Sequence, residues 1–365
     1  MDNNNLTIAT IGSHSALEVA RGAKDEGFKN IIVCEKGREQ TYAKYYKTNG
    51  DTGCVDEVIL VDKFADILKP EIQQQLLDKN AVFIPNRSFE VYINNYDAIE
   101  NEFKVKMFGN KKLLRIEERG FHPNQYDLLD AAQIRYPKQF TNPENIDKLC
   151  IVKVLEKERG FERAFFFANS KAGYDHESAR LIQEGKITEE SLSKAVIEEF
   201  IVGVQVNFNF FYSPLSNRLE LLGTDTRRQT NLDGILRLPG NLQTQILSDH
   251  KVEIKYEEAS HTAVTVLESL LEQVFAMGKS FVEASKKFAA PGVIGPFALQ
   301  SMIVAGPPKK DIVVFDVSPR FPGSPGITAT PYSGYLFGKP VNVGQRIAIE
   351  IKAAQEINQL DKIIT

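Results

Sequence analysis

The sequence predicts a small α/β domain followed by an α+β domain with at least two antiparallel sheets. Three observations predict it. At 365 residues the chain exceeds the size at which one core stops growing, so two or three packed domains are expected. The first hundred residues alternate short apolar runs with amphipathic ones, which is the pattern of βαβ units on a parallel sheet. Beyond about residue 140 that alternation gives way to neighbouring apolar runs joined by polar turns, the pattern of paired strands.

Leu6 to Ile11 is the first strand and Ser15 to Glu26 the first helix, with Ser13 or Ser15 as its N-cap and Gly27 where a C-cap belongs. Ile31 to Cys34, Val58 to Val61 and Ala81 to Ile84 supply further strands. Phe64 to Lys79 reads as a second helix that Pro70 interrupts. Cys150 to Val154 and Ala164 to Ala168 form a candidate hairpin across the charged loop Leu155 to Arg163. Val204 to Phe210 alternates strictly, so one face is apolar and the other carries Gln205, Asn207 and Asn209. Ser213-Pro214-Leu215-Ser216-Asn217 makes a turn, and Leu219 to Thr226 returns beside that strand. Thr262 to Phe288 has helical spacing, with Leu267, Leu270, Leu271, Val274, Phe275 and Met277 as its buried stripe and Pro291-Gly292 as its stop. Ile294 to Ala305 and Asp311 to Ser318 pair across Gly306-Pro307-Pro308, and Val343 to Ile357 is a last amphipathic helix.

Composition excludes several function classes. No apolar run approaches the ~20 residues that span a bilayer, so no membrane partner is expected. Met1 to Asn5 has neither the basic start nor the apolar stretch of a signal peptide, which points to the cytoplasm. Cys34, Cys54 and Cys150 contain no CxxC pair, so neither a disulfide framework nor a structural zinc is expected. With 44 basic against 48 acidic residues the net charge is −4, which offers no field to draw in nucleic acid. The sequence has no HExxH, GxSxG, Walker A or GxGxxG pattern, so zinc enzyme, hydrolase triad and dinucleotide dehydrogenase all rank low.

The chemistry concentrates in a few places. Residue 308 lies midway between Gln300 and Asp316, so a hairpin symmetric about that turn sets the two side chains opposite each other. Such oxygen ligands suit a hard cation such as Mg²⁺, and Arg320, in step with Asp316 and Ser318, suits bidentate phosphate; the alternative is a solvated polar face. Lys153 interrupts an apolar strand, where it either meets a nucleotide phosphate or snorkels at a sheet edge. The stretch Glu198-Glu199-Phe200-Ile201-Val202-Gly203 suits a linker whose backbone reads adenine while a carboxylate takes a ribose hydroxyl, or else a solvated strand start. Gly12-Ser13-His14-Ser15 opens the first helix, where an anion is favoured, and Asn86-Arg87-Ser88 ends a parallel strand at the same carboxyl edge. Both segments can line one pocket.

That order resembles the ATP-grasp ligases: an α/β domain, a lysine on a lid strand, an acidic linker, then carboxylate and amide ligands on two strands. More closely, the chain resembles the archaeal formate-dependent purine-biosynthesis ligases, the 5-formaminoimidazole-4-carboxamide ribonucleotide synthetase family. The resemblance is carried by Ala9 to Ser15, Phe108-Gly109-Asn110-Lys111-Lys112, Glu198 to Gly203, Phe211-Tyr212-Ser213-Pro214-Leu215, Gly295 to Ser301 and Gly344-Gln345-Arg346-Ile347-Ala348. It implies an ATP-grasp fold with a Rossmann-like substrate-binding domain over residues 1–105 and an ATP-grasp domain over 106–365 that includes a lid at about 140–203. It implies formylation of the aminoimidazole carboxamide nucleotide by formate and ATP through formyl phosphate, in the cytoplasm, by a homo-oligomer. His14, Ser88 and His261 would then contact the nucleotide, while Lys153, Glu198, Glu199, Ile201, Val202 and Gln229 would bind ATP. Arg320 would stabilise phosphate, and Gln300 with Asp316 would hold Mg²⁺ or Mn²⁺. The chain departs from the family at Asp316 and Gln229, where Glu is usual, and at His261, where Asn is expected. It departs also in the acidic Leu155 to Arg163 loop and in Pro319 to Ser324, which lacks a glycine pair. These changes keep open a paralogous ligase for another carboxylate and amine, or a nucleotide-binding protein without turnover.

Overall fold

A parallel strand covered on both faces has no polar side, and Thr7–Ile11 (β1) is buried along its whole length. It centres a parallel sheet of order β3-β2-β1-β4-β5, whose other strands are Lys29–Glu35 (β2), Glu57–Val61 (β3), Ala81–Phe83 (β4) and Lys106–Met107 (β5). The computed structural model describes residues 6–154, 164–248, 256–306 and 309–365. The first five residues, the Leu155 to Arg163 loop and the Pro307-Pro308 turn lie outside that set.

Helix Ala16–Asp25 (α1) follows β1 and ends on Gly27, whose φ of 87° and bond to the Lys24 carbonyl give the expected glycine cap. Its other end differs from expectation. Ser15 occupies the N-cap without a side-chain cap bond, and Ser13 turns instead to Ser88. The helix expected over residues 64–79 divides into a 3₁₀ turn, Phe64–Leu68, and a helix, Pro70–Asp78 (α2). Pro70 starts α2 because its missing N–H is an orphan in the first turn anyway. Arg87–Ile93 (α3) then follows β4 with Asn86 as its N-cap.

Helix Gln125–Ala131 (α4) leads into a four-stranded antiparallel sheet of order β6-β9-β7-β8, built from Gln139–Phe140 (β6), Cys150–Val154 (β7), Ala164–Ala168 (β8) and Val196–Glu199 (β9). The expected hairpin pairs as β7 with β8, Cys150 opposite Ala168. Helix Lys171–Gln183 (α5) covers it, Tyr174 lying 5.5 Å from the Phe166 ring.

The central sheet has the order β12-β11-β10-β13-β14, from Val204–Ser213 (β10), Arg218–Thr230 (β11), Tyr256–Ala263 (β12), Gly295–Val304 (β13) and Asp311–Ser318 (β14). Its strands all run antiparallel. Phe208, Phe210 and Phe297 face helix Leu271–Phe288 (α6), with Phe297 stacked between Phe210 and Phe281 at 5.1 and 5.2 Å. The helix expected from Thr262 therefore begins nine residues later, at Leu271. Thr262 and Ala263 end β12 instead, where β-branched residues pack on a pleated surface, and Leu267 is 55% exposed.

Helix Val343–Glu356 (α7) returns to the first sheet and packs on α1, with Ile347 and Ile351 joining Val19 and Ala23 in one apolar cluster. The approach requires Gly22, where a Cβ would stand 2.1 Å from the Gln345 backbone nitrogen. Among the described residues no helix is long and apolar enough to cross a membrane.

Candidate active site

In a sheet of order β3-β2-β1-β4-β5 the neighbours of β1 are reached in opposite directions, which opens a crevice at the carboxyl ends of β1 and β4. Both segments expected there meet. Ser88 donates to Ser13 Oγ at 2.9 Å, and Asn86 Nδ2 donates to the Ser13 carbonyl at 3.2 Å. His14 sits between them in the left-handed region, φ 57°, a conformation uncommon outside glycine. Its ring lies against Gly323, where a Cβ would fall 1.7 Å from Cε1, so a side chain there would displace the imidazole. The next residue, Ser324, brings its hydroxyl within 3.4 Å of His261 Nδ1. The Gly323-Ser324 segment thus gathers His14 and His261 beside the Ser13–Ser88 pair.

On the central sheet, Asp225, Asn207, Gln300 and Asp316 fall opposite one another across β11, β10, β13 and β14. Two bulges create this row. Outside the bulges the β13–β14 hairpin pairs Val304 with Asp311 and Ser301 with Val314, a register that would set Gln300 against Phe315; the extra Phe315 advances Asp316 to face it. The extra Leu222 does the same on β11, so that Asp225 meets Asn207. Symmetry about residue 308 therefore named the right pair, Gln300 and Asp316, through a bulge rather than a regular turn. Gln300 Nε2 donates to Asp316 Oδ2 at 2.9 Å.

Asp225 is fully buried and accepts from Asn207 Nδ2 at 2.9 Å, Asn209 Nδ2 at 2.7 Å and His261 Nδ1 at 2.6 Å. Burial pushes its carboxyl up, but the bonds from His261, Asn209 and Asn207 hold it below the usual range. At the row's other end Arg119 donates to Asp316 Oδ1 at 3.0 Å and to the Tyr126 hydroxyl at 2.8 Å. Tyr126 in turn donates to Glu198 Oε1, and Lys153 reaches Glu198 Oε2 at 2.5 Å. A path of contacts runs from Lys153 on β7 to the carboxylate on β14. Burial raises the Asp316 carboxyl, yet Arg119, Arg227, Lys153 and Arg87 keep it below the ordinary value. Burial and Arg119 draw the Lys153 ammonium down, and Glu198 only partly restores it.

Two assignments change. Glu198 is 1% exposed with both oxygens engaged, so it orients Lys153 and Tyr126 and is not available to a ribose hydroxyl. Glu199 is the more open acid, meeting Lys148 at 3.4 Å and the Lys138 N–H at 3.3 Å. Arg320 is buried and spends its fork on Glu90 Oε1 at 3.1 Å, Glu117 Oε1 at 2.6 Å and the Phe321 carbonyl at 3.1 Å. That geometry excludes the bidentate phosphate grip expected of it, because the two buried carboxyls already occupy two edges of the guanidinium. Burial pushes Glu90 and Glu117 up, and Arg320 with Arg87 pulls them back without cancelling it. Ile201 and Val202 follow β9, and no backbone hydrogen bond to another described residue engages either; Val202 is 77% exposed. Gln229 lies on β11 with its side chain outside the described residues.

Among the described residues no three His, Cys, Asp or Glu side chains gather as a metal cage. Asp316 and Gln300 nevertheless fit Mg²⁺, which takes one or two protein ligands beside substrate phosphates, since each Asp316 oxygen accepts one bond and keeps a lone pair. Sequence reasoning missed Arg119, Tyr126 and Asp225. Arg119 follows Glu117-Glu118 in what looks like a solvated charge run, and only a bulge, which leaves no mark in the pattern, puts Asp225 opposite Asn207.

Residues 173–365 match a model described as a domain of unknown function, DUF1297, and residues 8–140 one described as a protein of unknown function, DUF1246. The chain is 38% identical over 365 residues to the 5-formaminoimidazole-4-carboxamide-1-(beta)-D-ribofuranosyl 5'-monophosphate synthetase of Methanopyrus kandleri, covering 100% of this chain and 96% of that one. The protein of the same name from Methanocaldococcus jannaschii is 38% identical over 363 residues, 99% of this chain and 95% of that one. Among solved structures, an IMP biosynthesis protein, PurP, from Thermococcus kodakaraensis aligns with a TM-score of 0.72 and 28% identity over 98% of this chain and 100% of that one. An ADP complex of N5-carboxyaminoimidazole ribonucleotide synthetase shares the fold, with a TM-score of 0.56 and 12% identity over 92% of this chain and 76% of that one.

Proposed function

The chain belongs to the 5-formaminoimidazole-4-carboxamide ribonucleotide synthetase family of ATP-grasp ligases, and from that premise we propose that it formylates 5-aminoimidazole-4-carboxamide ribonucleotide with formate and ATP in purine biosynthesis. A formate oxygen takes the γ-phosphoryl group of ATP, giving formyl phosphate and ADP. The substrate amine then attacks the formyl carbon, phosphate leaves with the C–O bond electrons, and the nitrogen gives up a proton. No nucleophilic side chain is needed, in keeping with the missing triad.

The observation that carries this reading is the path from Lys153 through Glu198, Tyr126 and Arg119 to Asp316. Phosphoryl transfer depends on fixed positive charge around the moving group and on exclusion of water. Lys153 and Arg119 are two such cations, each oriented by a buried partner. When bound, Mg²⁺ or Mn²⁺ on Asp316 and Gln300 neutralises phosphate charge. The Ile201-Val202 backbone beside Glu199, without a hydrogen bond to another described residue, suits adenine and ribose, with Gln229 as a further ATP contact, and His14, Ser88 and His261 suit the nucleotide substrate. We expect a homo-oligomer in the cytoplasm.

The test is a set of incubations with ATP, Mg²⁺, formate and the aminoimidazole nucleotide, each omitted in turn. Phosphate and ADP release that needs every component, with a product heavier by one carbonyl unit, is the expected result. Turnover only with another carboxylate or amine assigns a paralogous ligase, and saturable nucleotide binding without turnover assigns a silent binding protein.

A further inference from the structure

A buried carboxylate can only accept hydrogen bonds, so it dictates which end of an amide faces it. Asp225 accepts from Nδ2 of both Asn207 and Asn209, one on each oxygen. Both amide oxygens must therefore point away from Asp225. Asn207 and Asn209 are 2% and 1% exposed, and neither Oδ1 has a hydrogen-bond partner among the described residues. Two oriented acceptors without donors are costly in a folded interior. Nothing in the packing demands them, for the strand's opposite face already supplies the apolar contacts through Phe208 and Phe210.

The position of these acceptors narrows what they can meet. Asn207 lies directly opposite Gln300, the neighbour of Asp316, and His261 is held on the same Asp225 carboxylate. The two oxygens sit between the proposed phosphoryl-transfer end and the imidazoles of the nucleotide end. The ionised phosphoryl groups of ATP and formate offer only acceptors and would be repelled by both. A ligand that donates N–H at each, two residues apart along a strand or about 7 Å at the Cα atoms, suits them.

We propose that Asn207 Oδ1 and Asn209 Oδ1 form a subsite that reads exocyclic N–H groups of the nucleotide base, so that amine-bearing nucleotides are selected by acceptors locked in place through Asp225 and His261. The assignment rests on the functional reading above and adds to it the residues that recognise the reacting amine. Asp225 and His261 act in this as positioning residues.

The experiment is calorimetric titration without ATP, using 5-aminoimidazole-4-carboxamide ribonucleotide and the analogue lacking the 5-amino group. Wild type is expected to bind the amino nucleotide about tenfold or more tightly than the analogue. In Asn207→Ala and Asn209→Ala that preference should collapse while ATP affinity stays within about twofold. Equal wild-type affinity for the two nucleotides overturns the subsite and leaves the functional reading standing, and this comparison needs no variant to fold. A preference that survives in folded variants overturns it as well. If wild type binds neither nucleotide, the functional reading falls first and the subsite with it.

Discussion

Strand β10 passes through two buried polar networks on one face of the central sheet, and they are built to opposite ends. Around Phe211 and Ser213, Arg346 donates to both Glu220 oxygens at 2.7 and 3.2 Å and to Glu350 Oε2 at 2.9 Å. Ser213 takes the remaining Glu350 oxygen at 2.6 Å, and the guanidinium lies 4.1 Å from the Phe211 ring centre. Every carboxylate oxygen is engaged and the three charged residues are at most 5% exposed. Two turns of the pleat earlier, Asn207 and Asn209 are just as buried, yet each leaves an amide oxygen without a partner among the described residues. Asp316, at the end of the same row, and Lys153, on β7 of the neighbouring sheet, keep 25% and 29% of their side chains exposed. A network that holds the fold together closes on itself; one that holds a ligand keeps oriented valences in reserve.

The largest effect that can break this contrast comes from the closed network. Arg346→Met keeps the stem but leaves buried Glu350 without a cation and Glu220 with only the half-exposed Arg218 at 4.0 Å, so urea unfolding should show a loss of about 3–5 kcal/mol. Nucleotide and ATP affinities of the folded protein should be unchanged. A loss below about 1 kcal/mol would mean that the cluster is no clamp. In the open network the expectation inverts. Asp316→Asn retains the shape and, through Oδ1, the bond accepted from Arg119, and a flip of the Gln300 amide lets its oxygen accept from the new Nδ2. The charge is lost, so turnover should fall about 100- to 1000-fold, or about 3–4 kcal/mol, while the urea midpoint barely moves. Near wild-type turnover in Mg²⁺ would remove Asp316 from the site.

What the sequence made legible follows the same division. Regular periodicity is visible in a string of residues, so β1, the β7–β8 pair, β10, the β13–β14 hairpin and α7 were all readable, and so were Lys153 and Asp316 as charges in apolar strands. Irregularity is not. The bulges at Leu222 and Phe315 align the polar row, and nothing in the local pattern announces them. Residues 262–270 show why helical spacing alone misleads: a stripe that starts at Leu267 and Leu270 leaves the helix start open as far back as Thr262, but β-branched Thr262, Val264, Thr265 and Val266 favour extended backbone, and the partner strand β11 claims the first of them. Arg320 looked like a phosphate ligand by its register with Asp316, and only the tertiary arrival of Glu90 and Glu117 gives it a structural role. Glu198 shows the converse, an acid whose partners come from α4 and β7, far away in sequence.

The smallest effect tests an apparent exception. Glu18, in the seam between α1 and α7, is 8% exposed; its Oε1 accepts from the Val343 N–H at 3.0 Å, and its Oε2 has no partner among the described residues. By the contrast drawn above that oxygen should await a ligand, yet it lies in a helix seam far from the polar row. Protonation resolves the conflict. Burial pushes the carboxyl from 4.5 up to about 8, against the pull of the Val343 and Gly344 backbone N–H groups, so the group is a neutral acid and holds no buried charge. The sign of the linkage follows. A folded pKa above the unfolded one means that the folded state binds the extra proton between the two values, so the contribution is complete below about pH 4.5 and is lost as pH rises through about 8. Glu18→Gln mimics the protonated form, keeping an oxygen for Val343 and adding a donor where the proton was. The two proteins should unfold together at pH 4, and the variant should be the more stable by about 2–3 kcal/mol at pH 7. Other titrating groups cancel in the difference, because both proteins carry them. A gap that does not change with pH would show Glu18 to be ionised in the fold, and a buried valence without a ligand would then exist outside the site, which is the one finding that removes the distinction between the two networks on β10.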